Sequence, residues 1–110
     1  MESIEEAVDI IKNEIESIDS VSAIAKRVGV NPNTLQNGFK HLYKSSVNEF
    51  IKKHRIEKAK ELLETSDLNI TEISYKVGVN SRSYFTKIFK KKYGITPKAY
   101  LKKARRDKSA

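Results

Sequence analysis

At 110 residues the chain suffices for one ordinary domain, or for two very small ones sharing a core. It has no cysteine, which excludes disulfides and thiolate metal sites, and no apolar run near the roughly 18 residues a membrane helix needs. The net charge of +8 is segregated: residues 1–30 hold three Lys/Arg against seven Asp/Glu and the remainder 19 against 7, which suits a face built for a polyanion.

The amino terminus, Met1-Glu2-Ser3-Ile4-Glu5-Glu6, has no basic stretch ahead of an apolar core. No secretory signal is read there, and a cytoplasmic, nucleoid-associated protein is expected. Ile4, Ala7, Val8, Ile11, Ile15 and Ile18 recur at helical spacing, which predicts one amphipathic helix over residues 3–18. Its apolar stripe is read as core packing rather than as a partner surface.

From Ser20 onward the chain repeats itself. Ser20-Val21, Ile24 and Val28-Gly29-Val30-Asn31 return 49 residues later as Asn69-Ile70, Ile73 and Val77-Gly78-Val79-Asn80. Leu35, Phe39-Lys40 and Tyr43 return 50 residues later as Phe85, Phe89-Lys90 and Tyr93. Each copy has a capping residue, a short apolar-faced helix, a glycine stop, a second cap and a second amphipathic helix. The second caps are Asn31, followed by Pro32 at the first helical position, and Ser81. Two helices joined by such a glycine turn can present the second one to a DNA major groove.

The first copy's second helix, residues 32–43, is predicted to bury Leu35, Phe39 and Leu42. Its opposite face carries Asn33, Gln36, Asn37 and Lys40, with no acid among them. Asn and Gln can pair bidentately with adenine, and Lys can reach guanine or phosphate. Residues 47–65 read as a longer connector helix, with Phe50, Ile51, Ile56, Ala59, Leu62 and Leu63 available for two packing surfaces. Arg55 on that helix is read as a partly buried structural cation. The second copy's reading helix, about 81–93, buries Tyr84 or Phe85 together with Ile88 and Phe89. It turns Arg82, Ser83, Thr86, Lys87 and Lys90 outward, again without an acid. Gly94 stops it, and Thr96-Pro97 opens a last helix with Ala99, Tyr100 and Leu101.

The second half carries a long signature: Ile73-Ser74-x-x-Val77-Gly78-Val79-Asn80-x-x-Ser83-Tyr84-Phe85-x-x-x-Phe89-Lys90-x-x-x-Gly94-Ile95-Thr96-Pro97-x-x-Tyr100. With Arg55-x-x-x-Ala59-x-x-Leu62-Leu63 upstream, it resembles the DNA-binding domain of the AraC/XylS family of bacterial transcription regulators over about residues 4–101. The resemblance implies an all-α fold of about seven helices, with two helix-turn-helix subdomains joined by a connector. The expected layout is residues 1–46 for the first subdomain with its N-terminal helix, 47–66 for the connector, 67–104 for the second subdomain and 105–110 for a disordered basic tail. It further implies insertion of two recognition helices into successive major grooves of double-stranded DNA. Position by position, the base readers would be Asn33, Gln36 and Asn37, then Ser83, Thr86 and Lys87. Phosphate contacts would come from Lys40, Arg82, Lys90 and the backbone amides at both helix starts.

Family members often touch RNA polymerase, so the competing reading is a protein-interaction module docking on polymerase or a partner regulator. An enzyme is not read, because His41 and His54 are the only histidines and no nucleophile–base set or phosphate loop is present. No metal or cofactor is expected. The family often carries an effector-binding or dimerisation domain that this length leaves no room for. The chain alone is therefore expected to be monomeric, and it fits both a free-standing regulator and an output domain.

Three departures from the family pattern carry expectations of their own. Gly38 lies inside the first recognition helix, Lys44 stands where its repeat partner is Gly94, and Val79 replaces an aromatic after the turn glycine. Val79 should thin the second core. Interior glycine costs about 0.5–1 kcal/mol against alanine. The first recognition helix is accordingly expected to be the softer reader, with Gly38→Ala raising the melting temperature.

Overall fold

The computed structural model describes residues 2–109, with side chains described for residues 2–105. Its described secondary structure is helical throughout: α1 (Glu2–Asn13), α2 (Val21–Val28), α3 (Pro32–Tyr43), α4 (Val47–Thr65), α5 (Ile70–Lys76), α6 (Arg82–Tyr93) and α7 (Pro97–Ser109). The starts of α2, α3, α5 and α6 are fixed by the caps read from the sequence. Ser20 Oγ accepts from the Ala23 amide at 3.1 Å, Asn31 Oδ1 from Thr34 at 2.8 Å and Ser81 Oγ from Tyr84 at 3.2 Å. Asn69 and Glu72 form a reciprocal capping box, with bonds of 2.8 and 3.0 Å.

The two inter-helix turns are built alike. Gly29 and Gly78 stand at φ 78° and 83°, a region closed to most side chains. Val30 N then donates to Ala25 O at 3.0 Å, and Val79 N to Ser74 O at 2.9 Å. These bonds satisfy carbonyls that the helix ends would leave orphaned.

The chain divides into two compact units, Met1–His54 and Arg55–Ala110. The boundary between them falls within α4. Val47, Phe50 and Ile51 of α4 belong to the first core, while Ile56, Ala59 and Leu63 belong to the second. In the first unit, Leu35 and Phe39 of α3 are fully buried among Ile4, Ala7, Val8 and Ile11 of α1, and Phe39 meets the Phe50 ring edge-on at 5.0 Å. In the second unit Phe85 and Phe89 of α6 take those places, and Phe89 lies 5.9 Å from Tyr100. Tyr100 is the repeat partner of Phe50, so the duplication extends into α4 and α7.

The repeats solve one problem differently. Ser46 Oγ caps α4 by accepting from Glu49 N at 3.1 Å, and Thr96 Oγ1 caps α7 by accepting from Ala99 N at 3.1 Å. At the first helical position α7 has Pro97, which has no amide hydrogen to satisfy. In α4 that position is Val47, and its amide donates to Gln36 Oε1 of α3 at 2.9 Å.

The structure departs from the sequence reading at several points. Helix α1 stops at Asn13 rather than near residue 18. Glu14 turns instead to grip the Arg27 guanidinium of α2 through two bonds of 2.8 and 2.9 Å. Ile15 and Ile18 still pack on the first core, so their spacing registered burial that outlasts the helix. Leu42, expected inside, is 43% exposed. The segment from 105, expected as a disordered tail, is helical to Ser109 within α7. Arg105 Nη2 donates to Ser66 O at 3.0 Å and Leu68 O at 2.6 Å, which anchors that helix in its unit; Ala110 lies outside the described residues.

The three departures from the family pattern are each accommodated in the fold. Helix α3 is continuous through Gly38, and the missing side chain is the space that Ile4 occupies. Lys44 adopts the left-handed cap at φ 57° and donates to Lys40 O at 3.1 Å, as Gly94 does to Lys90 O at 2.7 Å. Val79 is buried within the second core.

Candidate nucleic-acid interface

The surface of α3 away from its core carries Asn33, Asn37 and Lys40, all exposed. Gln36 lies on the same face but is half-buried, because its carboxamide is engaged by Val47. On α6, Arg82, Ser83, Lys87 and Lys90 are exposed and Thr86 is half-buried. Within each unit, then, periodicity placed these residues on a surface turned from the core. Gln36 and Thr86 sit nearest its edge with the protein. Neither helix contains an acid, and the last turn of α6 adds Lys91 and Lys92 to Lys90. The amides at both helix starts point out of the caps on Asn31 and Ser81, where the helix dipole favours an anion.

One exposed residue on this surface was missed. Tyr84, given as an alternative to Phe85 for the core, is 49% exposed, whereas Phe85 is fully buried. The repeat already held the signal, since Phe85 pairs with Leu35 and Tyr84 with the polar Thr34. Arg55, on the other hand, is the structural cation the sequence suggested. It is half-buried and donates from Nη1 to Gly78 O at 3.1 Å, bracing the second turn, and burial pushes its guanidinium pKa down. His54 packs its ring on Phe50 at 4.5 Å. Among the described residues no helix is long and apolar enough to cross a membrane, and no cluster of side chains could hold a metal ion.

Two helix pairs with matching glycine turns, each presenting an acid-free second helix, define a tandem helix-turn-helix domain. A family model described as a helix-turn-helix domain matches residues 24–103. The chain is similar to histidine kinase P4 of Formosa agariphila, with 44% identity over 80 residues that make up 73% of this chain and 6% of the kinase. It is also similar to the xylose operon regulatory protein of Escherichia coli K12, with 34% identity over 95 residues, 86% of this chain and 24% of that protein. Among solved structures it superposes on the DNA-binding domain of AdpA in complex with a target DNA, at a TM-score of 0.89 and 25% identity over 94% of each chain. The chain belongs to the AraC/XylS family of transcription regulators and carries the family's helix-turn-helix DNA-binding domain.

Proposed function

We propose that this chain recognises a specific double-stranded DNA sequence by placing α3 and α6 in successive major grooves, and regulates transcription from the promoters it marks. The observation that carries this reading is the pair of exposed acid-free faces, one on each recognition helix. An ordinary solvated helix face mixes Glu with Lys; these carry amides, hydroxyls and cations, the groups that meet base edges and phosphates. Asn33, Gln36 and Asn37 read bases from α3, and Ser83, Thr86 and Lys87 read them from α6. Lys40, Arg82 and Lys90 hold the phosphates. The structural kinship with a domain solved on its target DNA supports the same reading.

Selection of bound sites from a random duplex pool tests it. Two enriched boxes about one helical turn apart, some 34–36 Å, are expected. One box would leave a single helix as the reader, and no enrichment would overturn sequence-specific binding.

A further inference from the structure

We infer that the two units divide the work of binding: the second holds DNA of any sequence, with Lys98 at the start of α7 as a further phosphate ligand, and the first chooses the site. This rests on the double-stranded DNA reading proposed for α3 and α6.

The boundary within α4 splits the charge as well as the core. Met1–His54 holds seven Lys/Arg and eight Asp/Glu, a net charge of −1, and Arg55–Ala110 holds fifteen against six, a net charge of +9. The whole positive excess therefore belongs to the second unit. Helix α6 exposes Arg82, Lys87, Lys90 and Lys91, and α7 adds Lys98 and Lys102. Around α3 the exposed lysines are Lys40 and Lys44, while α1 of the same unit exposes Glu2, Glu5, Glu6 and Asp9. Attraction to phosphate that ignores sequence grows with the cations presented, so most of it comes from the second unit. The amides of Asn33, Gln36 and Asn37 act differently. They carry no net charge, gain where a matching base edge meets them and go unpaired where it does not.

Lys98 owes its place to the duplication. The helices after the two recognition helices pack alike, Phe39 on Phe50 and Phe89 on Tyr100. In the first unit the Val47 amide reaches Gln36 Oε1 at 2.9 Å, so the start of α4 borders the outward face of α3. Thr86 and Pro97 are the repeat partners of that pair, which puts the start of α7 at the border of the α6 face. Lys98 follows Pro97 and is exposed. The Cα–Cβ bonds of a helix tilt towards its N-terminus, which aims the lysine back at that border. The first unit has Asn48 and Glu49 at the positions of Lys98 and Ala99, and the Glu49 carboxylate stays at the start of α4, accepting from Ser46 Oγ at 3.0 Å. A phosphate beside the start of α4 would meet an anion, and one beside the start of α7 meets a cation.

The test titrates the full chain with the selected duplex and with a random-sequence duplex of equal length, at several salt concentrations. Lys98→Gln should weaken both complexes by the same factor, about eightfold at 0.1 M salt, and lower the log–log slope by roughly 0.9. Its melting temperature should be unchanged. A neutral methylphosphonate replacing one phosphate beside the α6 box should weaken the natural protein and cost Lys98→Gln nothing further. The double variant Asn33→Ala, Asn37→Ala should bind the selected duplex on the order of tenfold more weakly and the random duplex within about twofold of the natural protein.

An unaltered slope in Lys98→Gln would remove Lys98 from the phosphate ligands, as would a methylphosphonate loss that persists in that variant at every position. Loss on the random duplex equal to that on the selected one in the double asparagine variant would overturn the division between units. If the natural protein enriches no sequence yet Lys98→Gln still weakens binding to the random duplex, base reading falls and the anchor stands. If no duplex is bound, both fall.

Discussion

Ile4 of α1 fills the space that a side chain on Gly38 of α3 would need: a Cβ there would stand 2.3 Å from Ile4 Cδ1 and 2.8 Å from Ile4 Cγ1. Ile4 is itself buried, so it cannot swing out at no cost. Helix propensity alone favours alanine at this position by about 0.5–1 kcal/mol. Overpacking a filled core typically costs about 1–3 kcal/mol. Packing wins, and Gly38→Ala should lower stability by about 1–2 kcal/mol. In an Ile4→Ala background the same substitution should be neutral or stabilising. A double-mutant cycle by thermal or urea unfolding checks this; independent effects of the two changes would show that α1 does not depend on the missing side chain.

Lys44 holds a left-handed conformation that costs most L-residues about 1–2 kcal/mol. Lys44→Gly should relieve that strain, though glycine's freer unfolded chain returns about 0.4–1 kcal/mol of the gain. The net expectation is a stabilisation of up to about 1 kcal/mol, seen as a higher urea midpoint at unchanged slope. Gly94→Ala should do the reverse, although no atom lies within 4 Å of the added carbon, because the strain lies in φ and not in crowding.

Phosphate and base contacts should separate by salt. Substituting Lys40 or Lys90 with alanine should weaken binding on every sequence and reduce the log–log salt slope by roughly 0.9 each. Asn37→Ala or Lys87→Ala should instead relax the choice at particular base pairs, at about 1–3 kcal/mol for a good bidentate pair. Affinities measured at several salt concentrations sort them. A Lys40 variant with an unaltered slope would remove Lys40 from the phosphate set.

The Tyr100 hydroxyl donates to the Glu64 carboxylate, and this bond, with burial and the charge of Glu64, pushes its pKa up to about 12. Folding thus favours the protonated phenol, while in the unfolded chain tyrosine ionises near 10. The stability this bond contributes is fully present below about pH 10 and is lost as the pH rises towards 12. Tyr100→Phe should cost about 1–2 kcal/mol at neutral pH, and the difference from the natural protein should shrink across that window. Lysines titrate there too, so the difference between the two proteins is the quantity to measure. A constant difference from pH 8 to 12 would contradict the assignment.

Much of this molecule could be read from local chemistry. Ser20, Asn31, Asn69 with Glu72 and Ser81 cap helices because short side chains reach amides two or three residues on, and the sequence displays that reach directly. The duplication made the second unit legible from the first. What escaped were contacts between residues far apart in sequence. Nothing near Gly38 announces Ile4, and nothing near Gln36 announces the Val47 amide. Leu42 lies three residues from Phe39 and so looked internal. Its repeat partner is Lys92, a mismatch that pointed to an edge position. Ile15 and Ile18 misled in the other direction, since apolar spacing reports what is buried and not where a helix ends.

The contrast between Val47 and Pro97 bears on which substitutions each recognition helix can accept. A replacement for Gln36 that brings no oxygen to the Val47 amide leaves that donor unpaired beside a buried side chain, so substitution there carries a cost in stability. Proline has lifted that demand from Thr86, which can be exchanged without loosening the helix that follows it. Substitution is therefore less constrained by the fold at Thr86 than at Gln36.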